Sequence, residues 1–139
     1  MSSLATECRQ QLINSLKSGV SGIQYNRCCL ILSGGVDTAA VLCAAAEAGI
    51  NISGFITVFA SEASTDRPYA TAIAQAAGIE HHAINITLRE LLDRQLPFCV
   101  RALKTFDGME LRNSIVVAEA LRKAQQLGFG VLHISVNCF

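Results

Sequence analysis

Two adjacent glycines set between an apolar run and an alanine-rich run constrain this chain more than any other feature. The stretch LILSGGVDTAAVLCAAAEAG, Leu30 to Gly49, reads as a strand that turns through Ser33-Gly34-Gly35 straight into a helix. Arg27 to Leu32 is a brief apolar run without polar alternation, as expected of a strand covered on both faces. Val36 to Glu47 is helical by its alanine content and is closed by Gly49. A strand that feeds a helix this tightly begins a βαβ unit, and the rest of the chain repeats the alternation.

Upstream, Leu4, Cys8, Leu12, Leu16 and Val20 recur at helical spacing, predicting an amphipathic helix over 4–18 that ends near Gly19. Downstream, Ile52 to Phe59 is a second strand rich in Ile, Val and Phe. A loop then leads to a helix from Arg67, with Pro68 in its first turn and Gly78 past its end. Glu80 to Ile86 is a third strand. Thr87, with Glu90 three residues later, forms the pattern of a capping box and opens a helix at Leu88 that Pro97 is expected to interrupt or kink. Arg112 to Leu127 is a further helix, and Val131 to Ser135 a fourth strand. The expected fold is therefore α/β, with a parallel Rossmann-like sheet carrying helices on both faces. No linker or repeat divides the 139 residues, so a single domain over 1–139 is expected.

The 51% hydrophobic content is sufficient for one domain's core. Eleven basic residues balance eleven acidic ones, which leaves no bulk field to attract nucleic acid or an anionic membrane; any anion site must be local. The N-terminus is too polar for a secretory segment, and no apolar run approaches a membrane span. A soluble, cytoplasmic protein is expected. None of the six cysteines falls in a CxxC pair, and Cys28 and Cys29, adjacent on a strand, point to opposite faces. They read as buried thiols in a reducing compartment.

The glycine turn carries the chemistry. In an open α/β sheet, ligands gather at the carboxyl ends of the strands. Gly34 and Gly35 let backbone N–H groups approach a ligand closely, and the following helix adds unpaired donors and the positive end of its dipole. Together these make a phosphate cradle. It is neither GxxxxGK[ST] nor GxGxxG, since the Lys and the third Gly are missing. Asp37 repels a phosphate unless a divalent cation lies between them, so it reads as a Mg²⁺ ligand; Ser33 and Thr38 can offer hydroxyls to phosphate oxygens. The alternative on these residues alone is a plain helix start, in which Asp37 serves the helix dipole.

SGGVDT after an apolar strand closely resembles the SGGxD[ST] signature of the PP-loop ATP pyrophosphatases, which include asparagine, GMP, NAD and argininosuccinate synthetases and tRNA-thiolating enzymes. ALKTFDGMELRNSIVVAEALRKAQQLGFGVL and GIEHHAINIT further resemble segments of asparagine synthetase C-terminal domains, so the likeness covers roughly residues 28–132. The resemblance implies an adenine-nucleotide-alpha-hydrolase-like fold and use of ATP and Mg²⁺. It also implies activation of a carboxylate, with aspartate as the family's acceptor, as an acyl-adenylate with release of pyrophosphate. Ser33, Gly34, Gly35, Val36, Asp37 and Thr38 would hold pyrophosphate and metal. The backbone at Thr57 and Val58 would face the adenine, and Arg112 would lie near the acyl-adenylate, although Arg112 reads equally well as a solvated or structural residue at a helix start.

Other residues take plainer readings. Adjacent His81 and His82 lack metal-ligand spacing, Asp66 and Arg67 begin a helix, and Asp107 before Gly108 is a turn or capping residue. The family's second acidic loop, of the form SG[DE]GxDE, is replaced by VLHISVNCF, with no Asp, Glu or Gly after Gly130. Residue 2 is Ser, without the nucleophilic Cys of a glutaminase domain. These departures imply a truncated or alternatively spliced product, or a shortened module that binds nucleotide without completing chemistry and self-associates through an uncovered C-terminal sheet edge. Three functions compete: an asparagine-synthetase-type domain, a catalytically silent nucleotide-binding or interaction module, and another PP-loop branch such as the argininosuccinate synthetases or tRNA-thiolating enzymes.

Overall fold

A computed structural model describes residues 2–20, 28–31, 36–59 and 67–132, apart from the side chains of 20, 36–38, 131 and 132. In chain order the elements are α1 (Ser3–Val20), β1 (Cys28–Ile31), α2 (Val36–Glu47), β2 (Ile52–Phe59), α3 (Arg67–Ala77), β3 (Glu80–Asn85), α4 (Leu88–Leu103), α5 (Gly108–Gln126) and β4 (Gly130–Leu132). The four strands form one sheet in the order β3-β2-β1-β4, and every pairing is parallel. The expected strand over 131–135 is present in its first two residues, with Gly130 added; residues 133–135 lie outside the described residues.

Each face of the sheet has its own core. On one face, Ile13 and Leu16 of α1, Val41, Ala44 and Ala45 of α2, and Ala70 and Ala74 of α3 pack on Leu30, Phe55 and Phe59. The alanines let helix backbone approach strand closely. Arg9 of α1 reinforces this layer with a two-pronged bond to Glu47 of α2, its Nε and a terminal nitrogen lying 3.0 and 2.6 Å from the two carboxylate oxygens. On the other face, Ala120 and Ala124 of α5 with Phe129 cover Cys29 and Ile56. Cys28 packs in the first core and Cys29 in the second, so the adjacent thiols do take opposite faces. Burial pushes the Cys29 thiol up to about 11, which makes it an inert core residue.

The helix boundaries follow capping chemistry. The backbone N–H of Thr87 donates to Glu90 Oε2 at 2.9 Å, and the backbone N–H of Glu90 donates to Thr87 Oγ1 at 3.2 Å, which is the reciprocal capping box. These bonds from Thr87, backbone first and hydroxyl second, hold the Glu90 carboxyl below its ordinary range. Of the two effects expected of Pro97, an interruption or a kink, the interruption does not occur: α4 continues to Leu103. Leu91, Gln95 and Cys99 bury one side of α4, and that burial spans the turn whose hydrogen bond Pro97 removes. The last helix also begins earlier than Arg112, because Asp107 accepts the backbone N–H of Glu110 at 2.9 Å and starts α5 at Gly108.

Candidate functional site

The strand order places a topological switch beside β1. From β1 the chain steps to β2 and β3 on one side, then returns through α4 and α5 to β4 on the other. Crevices at the carboxyl ends of strands flanking such a switch are where open α/β sheets bind ligands. Ser33, Gly34 and Gly35, between Ile31 and Val36 in the sequence, lie outside the described residues. Val36, Asp37 and Thr38 form the first turn of α2, so the backbone of Asp37 stands at a helix N-terminus at the carboxyl end of β1.

Ile31, the last residue of β1, pairs with Ile56, whereas Thr57, Val58 and Phe59 pair only with Ala83, Ile84 and Asn85 of β3 among the described residues. The Thr57 side chain is buried, and its Oγ1 lies 2.9 Å from His81 Nε2. Burial, then the neighbouring His82 and Arg67, hold the His81 imidazole below its ordinary value. The Thr57 hydroxyl is thus anchored to β3.

The α4–α5 pair rises at the same end. Leu111 and Ile115, in the N-terminal half of α5, pack with Leu91 and Cys99 of α4 and with Ile86 just past β3, while the C-terminal half lies on the sheet. Arg112 belongs to the N-terminal half and is exposed. The structure thus brings its helix to the carboxyl end of the sheet and leaves its side chain on the surface.

The pair is fastened by a charge cluster that the residue patterns did not disclose. Glu119 is fully buried; its carboxylate accepts from Arg94 at 2.7 Å, from Gln95 Nε2 at 2.6 Å, and from Arg122 at 2.5 and 3.3 Å. Burial alone would raise the Glu119 carboxyl, but the bonds from Arg122 and Gln95 and the two guanidinium charges outweigh it and hold it below the ordinary range. The spacing of Glu119 to Arg122 was readable as a surface pair. That the carboxylate would be buried depends on α4, which no local pattern could show.

A second residue given too plain a reading is Arg67. It starts α3, as expected, but its guanidinium carbon stands 4.2 Å from the centroid of the Phe59 ring and a terminal nitrogen donates to Asn85 Oδ1. His82 lies on the opposite face, edge-on to Phe129 with ring centroids 5.8 Å apart. No helix among the described residues is long and apolar enough to cross a membrane.

Comparison with known proteins agrees with this architecture. The chain is 31% identical over 118 residues to the 7-cyano-7-deazaguanine synthase of Acinetobacter baylyi, a match covering 80% of this chain and 51% of that protein. It therefore spans about half the length of this curated relative. Among solved structures, the NH3-dependent NAD synthetase of Campylobacter jejuni superposes with a TM-score of 0.59 at 15% identity, over 91% of this chain and 54% of that one. The glutamine-dependent NAD+ synthetase of Acinetobacter baumannii, solved with ADP, gives 0.63 at 19% identity over 91% of this chain and 24% of its own. These structures establish the shared Rossmann-like fold. The asparagine synthase family model matches residues 7–132, nearly the whole described chain, and the protein is accordingly a member of the asparagine synthase family with a PP-loop domain.

Proposed function

We propose that this chain forms the nucleotide half of an ATP-dependent amide-forming synthetase, in which a substrate carboxylate attacks the α-phosphorus of ATP. That step forms the acyl–phosphate bond of an acyl-adenylate and breaks the bond to pyrophosphate; an amine then displaces AMP. What supports the reading is the asparagine synthase family match over residues 7–132, together with the SGGVDT sequence that runs from β1 into α2 at the switch point. The N-terminus of α2, which begins at Val36, suits an oxyanion. A single Asp at the start of α2 fits Mg²⁺, which takes oxygen ligands and is commonly held by one or two carboxylates together with substrate phosphates. Bound there, Mg²⁺ would neutralise charge on the departing pyrophosphate.

In this reading Ser33, Gly34, Gly35, Val36 and Thr38 cradle the phosphates and Asp37 holds the metal. Thr57 and Val58 contact adenine through their backbone, and Arg112 pairs with the carboxylate or phosphate of the adenylate. Aspartate is the acceptor that the family name favours. The relative from Acinetobacter baylyi supports a second acceptor class, a deazaguanine precursor. Asp37→Ala is the direct test. Magnesium-dependent ATP binding should be lost while the variant stays folded, and ³¹P NMR of the wild-type chain with ATP and candidate carboxylates should show AMP and pyrophosphate. Unchanged affinity in the variant would remove Asp37 from the site.

A further inference from the structure

Arg67 sits where local energetics do not favour a cation. It opens α3, where the helix dipole is positive, and no acidic residue stands in the first turn to offset it. Among the described residues no carboxylate pairs with it; its charge meets the Phe59 ring face and the amide oxygen of Asn85. Its Nε is buried without a hydrogen-bond partner. A free arginine side chain would keep its rotamer freedom in water. Here three elements hold the guanidinium in one place: α3 supplies it, the last residue of β2 stacks under it, and the last residue of β3 fixes its edge.

That place is the carboxyl end of the sheet, one residue beyond the Thr57–Val58 backbone. Phe59 meets the planar guanidinium from one side, its ring centroid 4.2 Å from the guanidinium carbon, and a plane has two sides. Guanidinium is weakly hydrated and stacks on π systems, so the second face suits a flat aromatic ligand. Building on the nucleotide reading above, we propose that Arg67 is a nucleobase platform. The purine of the bound nucleotide stacks on the guanidinium, which Phe59 and Asn85 hold in plane. Arg67 is then a positioning residue for the base, and it accounts for binding energy that the phosphate cradle does not supply.

The test compares two probes that differ in the base: Mg²⁺·ATP and Mg²⁺·tripolyphosphate, titrated calorimetrically into the full chain, its Arg67→Met variant and its Arg67→Lys variant. Met keeps a long apolar stem over Phe59, whereas Lys keeps the charge without the plane. The expected result is that both variants bind ATP about tenfold more weakly or worse, with tripolyphosphate affinity unchanged. Equal losses for both probes would place the contact on phosphate and overturn the platform. Unchanged ATP affinity in either variant would do the same, leaving Arg67 as a pin between α3 and the sheet. Should Met prevent folding, the Lys variant decides alone. Wild-type chain that binds tripolyphosphate as tightly as ATP contradicts the platform and spares the cradle, whereas wild-type chain that binds neither removes the nucleotide reading as well.

Discussion

The two ends of the sheet are built on opposite terms. At the amino end, α2, α3 and α5 each return to a strand through a short turn with a glycine at positive φ: Gly49 at 74°, Gly78 at 64° and Gly128 at 73°. Their backbone groups are closed locally, as in Ile50 N–H to Ala45, Ile79 N–H to Ala74 and Phe129 N–H to Ala124. At the carboxyl end, a helix N-terminus follows β1 and the α3 cation lies over Phe59. The amino end is closed by its own backbone bonds, and the carboxyl end is where nucleotide is proposed to bind. The contrast teaches that stability and binding are separable here by position, and substitutions can be chosen to break that separation.

The largest stability effect should come from Glu119→Ala. It removes the buried carboxylate that joins Arg94 and Gln95 of α4 to Arg122 of α5 and leaves the Gln95 amide without its acceptor. The expected cost is about 3 kcal/mol by urea denaturation. A cost below about 1 kcal/mol would show that the two helices are held by their apolar seam. The same carboxylate gives an acid signature. Because its folded pKa is depressed, its contribution is present above the ordinary carboxylate range and lost as pH falls through the lower folded value. The Glu119→Ala variant should therefore show a flatter acid limb of stability than the wild type, and parallel limbs would contradict the assignment.

Next is Gly54→Val, toward the amino end. A Cβ at this position would stand 2.9 Å from the tip of the Phe129 ring, so the side chain that seals this end must shift. The expected cost is about 2 kcal/mol, with ATP affinity unchanged. A change in affinity at constant stability would break the proposed division. Gly78→Ala is smaller. An added Cβ meets nothing within 4 Å, and the penalty is the left-handed backbone alone, about 1 kcal/mol.

The smallest effect is the titration of His81. Its folded value is lowered first by burial and then by its cationic neighbours, so protonation disfavours the folded state. Stability should decline as pH falls from the ordinary imidazole value toward the lowered one and level off below it. Proton NMR of the His81 ring should give a midpoint below 6.5; a midpoint at or above it would mean that the Thr57 contact favours the charged ring.

These contrasts also explain which features are legible in the sequence. The amino end was legible because one residue decides each turn: Gly49 and Gly78 were placed from sequence and adopt the αL backbone that such closures require. The Thr87–Glu90 box was legible for the same reason, since both partners lie within one helical turn. Pro97 does not interrupt α4, because a local penalty is outweighed by burial along the helix. At the carboxyl end, SGGVDT marks the proposed cradle, yet Arg67, Phe59 and Asn85 meet only once α3, β2 and β3 are assembled. Thr57 and His81 are likewise 24 positions apart, beyond the reach of any periodicity.

Calorimetric titration of the wild-type chain with ATP, in the presence and in the absence of Mg²⁺, tests the central claim most directly. The account predicts binding that requires Mg²⁺, because Asp37 would otherwise face phosphate unscreened. A folded chain that binds no ATP in the presence of Mg²⁺, or binds it equally well without the metal, would contradict it.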